Sequence, residues 1–489
     1  MKTSVVHYSR YLLLFGIILL PLFGKLETVP IRVWDEARQA INAYEMSKNH
    51  NFLVTYFEGQ PDMWNTKPPF LIWLQVVFMK VFGVSVLAVR LPSAIAAFLT
   101  CVLLLFFSER YLKSFWFGFI AVLLLVCAQG YVHYHATRTG DYDALLTLFT
   151  TAGNLFFFLH CESKKTKYLY LFFAATALGV LTKSVSGLLF LPALAIYAFY
   201  SKQFLPLIRN KHFYVGLTGC LLAVLGYYGL REVYNPGYLE AVYQNELGGR
   251  YLTAIEGHTG GFWFYYDDLI NYRFPEFYLF IPCGVVIGLA SKERPFRKMA
   301  AFSFLVTLTF FLIISTGKTK LPWYDVPLFP FYALLSAITL YCFFTILKKS
   351  TLITSLFQWN PLPFLLLFLL FINPYKRMKD KVMNPVEASS DVELYEMGYY
   401  LKDAVKGKHP TQDRFFVFEG YNPHNNFYIH MLKERGVTTG LKEWNSLAEG
   451  DKITTYQKTI QQHIEENYHT TRMEEAGNIV TYEIQQRKH

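Results

Sequence analysis

The chain is sparing with charge, and its charged residues fall in a few short polar stretches. Asp35, Glu36 and Arg38 stand together in WDEAR, and Lys67 follows in NTKPP. Asp141 and Asp143 lie in RTGDYDALL, Lys183 in LTKS, Arg250 in NELGGRY, His258 in EGHTGGFW, and Lys320 with Tyr324 in KLPWY. A carboxylate in such a set could take a proton from an attacking hydroxyl. Lysines and arginines could hold a leaving phosphate as its charge grows. Plainer readings exist for each. Acids in a first helical turn satisfy free N–H groups and oppose the dipole, for about 0.5–2 kcal/mol. Asp141 reads equally as a solvated loop acid. Lys183, between two apolar runs, either snorkels or faces a site. His133 and His135 alternate in YVHYH and could bind a metal, but no third ligand is evident beside them; packing in an interfacial aromatic belt fits them as well. His258, in a glycine-bearing loop, is a candidate for substrate contact.

The elements that must position these residues are membrane helices. Of 489 residues, 53% are hydrophobic, 18% aromatic and only 17% charged. A soluble chain would carry about a quarter charged. Apolar runs long enough to cross a bilayer recur. They fall near 10–24, 86–107, 115–131, 143–160, 168–182, 184–200, 213–230, 274–290, 298–315, 326–347 and 360–374. The fold class expected is an all-α polytopic membrane protein of about eleven or more spans. Pro69–Val81 reads as a helix lying flat or dipping in, since charge flanks it closely. The first run has a poor cleavage site and reads as a retained span. The six cysteines sit in or beside apolar runs and suggest no disulfide framework. The net charge of +10 reflects basic loops that orient the helices, so no nucleic-acid partner is expected.

With the N-terminus in the cytoplasm, alternation puts SERYLKS, HCESKKTK, SKQFLPLIRNKH, SKERPFRK and the KKS after Leu347 on the cytoplasmic side, each with at least two Lys or Arg. KRMKDK (376–381) resists, because it would lie outside. All the candidate residues named above then share one outer face. A helix from Asp35 would put Trp34, Ala37, Ile41 and Tyr44 on one stripe and Asp35, Arg38, Asn42 and Glu45 on the next, as in a helix at a membrane surface. Beyond about 375 the composition turns polar. RFFVFEG and NIVTYEIQQ read as strands, and 391–407 and 425–436 as helices, giving a small α/β domain over 376–489 after a transmembrane domain over 1–375.

An enzyme on that face needs a donor that arrives already activated, because nucleotide sugars are cytoplasmic. A sugar on a polyprenyl phosphate meets the need. It also leaves the Asp141-x-Asp143 pair little use as a nucleotide-diphosphate metal site of the kind soluble sugar transferases have. The order DEAR, KPP, RTGDYDALL, LTKS, KLPWY resembles the integral-membrane glycosyltransferases of the GT-C fold. Within that class it is similar to the protein O-mannosyltransferase and aminoarabinose lipid A transferase superfamily. The likeness covers roughly residues 10–350.

The resemblance implies that Asp35 is the essential acid of the first outer loop, with Glu36 and Arg38 completing its motif. It implies that Lys67 meets the lipid-linked phosphate and that Asp143 is a second acidic position. Lys320 falls where the family has a Ser-Lys-x-Pro element, with Thr319 in place of the serine, and Tyr324 belongs to the same KLPWY stretch. Arg250 is a further candidate phosphate ligand. One departure stands out: the aminoarabinose branch has a glutamate before the lysine of its Lys-Pro pair, and here that residue is Thr66. A divalent metal ion is therefore left open. The function expected is transfer of a sugar from a polyprenyl (undecaprenyl) phosphate donor to a glycolipid, protein or glycan acceptor. The location expected is a bacterial inner membrane, with site and tail domain in the periplasm. A transporter or lipid flippase, and a non-catalytic partner keeping the fold, are the alternatives; the former often shows paired half-repeats, and none is evident.

Overall fold

The computed structural model describes residues 2–248, 257–349 and 360–488. The chain opens with α1 (Lys2–Phe23), then α2 (Asp35–Asn49) and α3 (Phe70–Phe82) in the first long loop. The bundle continues with α4 (Val86–Tyr111), α5 (Phe115–Cys127), α6 (Tyr142–Ser163), α7 (Thr166–Lys183) and α8 (Leu191–Tyr200). It is completed by α9 (Lys211–Tyr234), α10 (Phe280–Ala290), α11 (Arg294–Thr316), α12 (Phe329–Lys348) and α13 (Leu362–Met383). Local sequence sets several starts. Ser85 accepts from the Ala88 N–H and Ser114 from the Phe117 N–H, each satisfying a donor that its helix leaves free.

Among the described residues, six helical stretches are long and apolar enough to cross a membrane: Val86–Tyr111, Tyr142–Ser163, Thr166–Leu188, Lys211–Tyr234, Arg294–Thr316 and Pro322–Lys348. The other expected spans are helical but mostly short. A break in one helix positions a buried cation. α7 ends at Lys183, where Ser184 takes φ 50°, and the chain turns through a 3-10 segment, Ser184–Leu188. Gly187 packs there on the α7 backbone; a Cβ on it would stand 2.6 Å from the Gly179 carbonyl carbon. Only a glycine permits that approach, and the turn swings Lys183 towards α6.

The tail domain contains α14 (Val392–Val405), α15 (Pro423–Glu434) and α16 (Lys458–Asn467) beside a five-stranded sheet. Its strands are β1 (Arg414–Phe416), β2 (Thr439–Leu441), β3 (Lys452–Thr455), β4 (Tyr468–Ala476) and β5 (Ile479–Arg487), in the order β2-β1-β3-β5-β4. β1 pairs in parallel with β2 and β3; β5 pairs antiparallel with β3 and β4. α2 does form from Asp35, but its apolar contact is protein. Ala37, Ala40, Ile41 and Met46 share one buried cluster with Ile72 and Val76 of α3 and with Met397, Leu401, Phe427 and Leu432 of the tail. Trp34 stays largely exposed, its ring stacked on Tyr421 of the tail with centroids 4.9 Å apart.

A buried ion pair ties loop to bundle. Arg90 of α4 donates to both oxygens of Glu36, at 2.7 and 2.8 Å. It also donates to the carbonyls of Leu26, Val29 and Pro30. Glu36 further accepts the backbone N–H of Arg32 and of Gly140, both at 2.8 Å. Both side chains are fully buried. Arg90→Met should strand the Glu36 charge and cost about 3–5 kcal/mol, read as a lower Tm in detergent. Adding Glu36→Gln to that variant should recover part of the loss, because both charges are then gone.

Candidate active site

Four distant stretches meet in one pocket. Asp35 begins α2, and Lys67 lies in the loop before α3. Asp143 sits in the first turn of α6, and Lys183 ends α7. Ser186, Glu246, Thr319 and Tyr324 add to the polar lining. The remaining wall is apolar, with Leu146, Leu189, Phe310 and Ile314 among its residues. The pocket therefore combines charged groups with an apolar wall.

Each cation has a carboxylate beside it. Lys183 Nζ is 2.6 Å from Asp143 Oδ1 and 5.4 Å from the centre of the Tyr324 ring. Lys67 Nζ is 3.2 Å from Glu246 Oε1 and 5.8 Å from the centre of the Tyr142 ring. Pairing of this kind offsets part of the cost of placing an ammonium where water is scarce. The Lys67 loop is itself fixed by Asp62. That carboxylate accepts from Arg38 Nε and a second guanidinium nitrogen at 2.8 and 2.7 Å, from Asn42 at 3.0 Å, and from the backbone N–H groups of Trp64 and Asn65 at 3.0 and 2.9 Å. Burial pushes the Asp62 carboxyl up, but the Arg38 bonds outweigh it and hold it below its ordinary range.

The Asp141-x-Asp143 pair is divided by the start of α6. Asp143 faces Lys183, whereas Asp141 faces His135, with Nδ1 3.7 Å from Oδ2. Thr139 also donates to Asp141 Oδ2. The His135 ring stacks on Trp323 at 3.9 Å. Ligand atoms of Asp35, His135 and Asp141 lie within 4.8 Å of one another. The second Asp141 oxygen, Oδ1, is buried with no hydrogen-bond partner. Two carboxylates and an imidazole at that spacing fit a divalent cation, and an orphaned carboxylate oxygen is what such an ion would satisfy. The sequence offered His133 and His135 as neighbours in search of a third ligand. The fold parts them and brings two aspartates to His135 instead.

Other expected residues lie elsewhere. Glu36 is sealed in the Arg90 pair and does not line the pocket. Arg38 is turned to Asp62. Lys320 donates to the Ile314 and Ser315 carbonyls at 2.8 and 2.6 Å, capping the end of α11, and its backbone N–H reaches the His258 carbonyl at 3.0 Å. His258 itself is exposed. Arg250 lies outside the described residues. Thr66 is buried, and its carbonyl accepts from the Tyr238 hydroxyl at 2.6 Å. Glu246 and Asp62 were not anticipated as site residues. Glu246 stood within the NELGGRY stretch, but nothing in its spacing pointed to Lys67.

Comparisons with known proteins bear on the fold as a whole. Residues 66–228 match the family model described as dolichyl-phosphate-mannose-protein mannosyltransferase. A protein of Aquifex aeolicus is 26% identical over 356 residues, covering 72% of this chain and 68% of that one. The undecaprenyl phosphate-alpha-4-amino-4-deoxy-L-arabinose arabinosyl transferase of Erwinia tasmaniensis is 25% identical over 348 residues, covering 68% of this chain and 59% of that protein. The chain thus spans about three fifths of that relative's length. The crystal structure of ArnT from Cupriavidus metallidurans bound to undecaprenyl phosphate superposes with a TM-score of 0.71 at 15% identity, covering 97% of this chain and 98% of that one. The archaeal oligosaccharyltransferase AglB from Archaeoglobus fulgidus gives 0.51 at 14% identity, covering 87% and 64%. The chain therefore shares the fold of ArnT from Cupriavidus metallidurans, the GT-C fold that its motifs implied.

Asp141 gives the site a pH signature. Burial pushes its carboxyl up to about 7, and the nearby Asp35 and Glu36 charges add to this against the pull of His135 and Thr139. The folded protein then holds that proton more tightly than the unfolded chain does, where the carboxyl titrates near an ordinary value of about 3.9. Stability gains as pH falls from about 7 towards 4, and the cost of the buried charge is greatest above 7. Raising the pH from 6 to 8 should therefore lower the Tm of the native protein more than that of Asp141→Asn. Parallel Tm curves for the two would remove the perturbed group.

Proposed function

We propose that this protein is an integral-membrane glycosyltransferase that moves a sugar from a polyprenyl phosphate to an acceptor at the membrane surface. The observation that carries this reading is the pocket itself. It combines two carboxylates from the DEAR and DALL motifs, two lysines and an apolar wall in one cavity. A lipid-borne donor needs that combination: an apolar path for its chain, cations for its phosphate, and a base for the acceptor.

In the proposed reaction the acceptor oxygen attacks the anomeric carbon as the bond from that carbon to the phosphate oxygen breaks. Asp35 takes the acceptor's proton, and the electron pair of the broken bond leaves with the phosphate. Lys67 meets the phosphate oxygens as their charge grows, with Lys183 and Tyr324 on the same side of the pocket. Attack opposite to departure inverts the sugar. Asp143 holds Lys183 in place. A divalent cation, held by Asp35, His135 and Asp141, would add positive charge beside the reacting centre. The polyprenyl phosphate donor is supported by the structural likeness to a protein solved with undecaprenyl phosphate. We place the pocket and the tail domain on the periplasmic side of the inner membrane, in keeping with the basic loops at the opposite helix ends.

Asp35→Asn should reduce transfer by about 10²–10⁴-fold, the usual worth of a positioned base, while the folded yield is unchanged. Full activity in that variant would remove Asp35 from the role. Lys67→Ala should raise the apparent KM for a synthetic polyprenyl-phosphate sugar more than it lowers kcat. An unchanged KM would count against the phosphate contact.

A further inference from the structure

The run KRMKDK breaks the charge pattern of the loops and takes no part in the catalytic pocket. α13 carries it beyond the apolar residues and ends at Met383, next to the end of α1. There Lys381 lines a small cavity with Lys25, His133 and Arg138. No carboxylate lines that cavity. Among the described residues, no acid lies within ion-pair distance of Lys25, Arg138 or Lys381. Lys25 gives one donor to the Met383 carbonyl at 3.0 Å. Arg138 binds the last carbonyls of α1, those of Pro21 and Leu22 at 3.2 Å and Gly24 at 2.6 Å. An ammonium has three donors and a guanidinium five, so both keep capacity. Cations gathered this way repel one another unless an anion joins them.

The same two helices border a second cavity of about 370 Å³. Leu13 and Ile17 of α1, Trp116 and Phe119 of α5, and Phe368 and Phe371 of α13 line it. Its one polar side chain, Tyr375, donates to the Ile17 carbonyl at 2.9 Å. Along α13 the step from Tyr375 to Lys381 is about 9 Å. An apolar cavity and a cationic pocket thus both border α13, separated along it by about the length of a lipid's glycerol region.

We infer that cavity and pocket form one binding site for an anionic phospholipid, its acyl chain between α1, α5 and α13 and its phosphate among Lys25, Arg138 and Lys381. This site is separate from the catalytic pocket and does not depend on the proposed transfer reaction. The loop that walls it with His133 and Arg138 also carries His135, which faces Asp35 and Asp141. Positive charge on this face runs against the orientation rule, and a bound phosphate accounts for its presence.

Native mass spectrometry of the full chain in detergent tests the site. Titrated with phosphatidylglycerol and phosphatidylcholine, the native protein should retain one phosphatidylglycerol in preference. The double variant Lys25→Gln/Lys381→Gln should lose that preference by about tenfold. Lys376→Gln/Lys379→Gln removes the same amount of charge, from α13 outside the pocket, and should keep it. Unchanged Tm values would show that both variants fold. Equal losses in the two variants, or no preference in the native protein, would overturn the inference. Millimolar inorganic phosphate should not displace the lipid; displacement would reveal a bare anion pocket and overturn the lipid assignment.

Discussion

The arrangement depends on a charge pair placed where water does not reach. Glu36 and Arg90 would each be costly to bury alone. Together they bind the chain leaving α1, the first turn of α2, the side of α4 and the backbone at Gly140. Asp35 is the neighbour of one partner, and Asp141 is the neighbour of Gly140. The pair therefore fixes the distance between the first-loop carboxylate and the carboxylates at the start of α6. Adjacent residues in DEAR have divided duties: Glu36 faces inward as anchor, and Asp35 faces the cavity.

Inside the cavity the same economy recurs. Lys183 reaches Asp143 because α7 breaks early, and it breaks where Gly187 can lie against Gly179. Lys67 reaches Glu246 because Asp62 gathers Arg38, Asn42 and two backbone N–H groups beneath the loop. Each pocket cation is thus held by a carboxylate of its own. Such preorganisation lets a site stabilise a developing phosphate without reorienting at the moment of reaction.

Much of this was legible in the sequence, for physical reasons. Membrane helices announce themselves by length and apolarity, so the bundle could be read directly. Asp35, Lys67 and Asp143 were legible as candidates because charge near membrane depth is rare, and Tyr324 because its KLPWY stretch resembles a known family. What failed to show was partnership. Arg90 looked like one residue of an apolar run, and nothing in its spacing tied it to Glu36. The stripe on α2 was readable as apolar, but whether lipid or protein would cover it depends on residues more than three hundred positions away. Asp141 and Asp143 looked like one motif, yet a helix start between them turned them to different neighbours.

The shared cluster of α2, α3 and the tail bears on how such proteins diverge. Ala37 and Ile41 share one buried cluster with Phe427 and Leu432, so a change of size on either side must be answered on the other. The tail is then not an appendage that lineages can trade freely. The two share one core, so a cavity opened in the tail should loosen the segment bearing Asp35 as well.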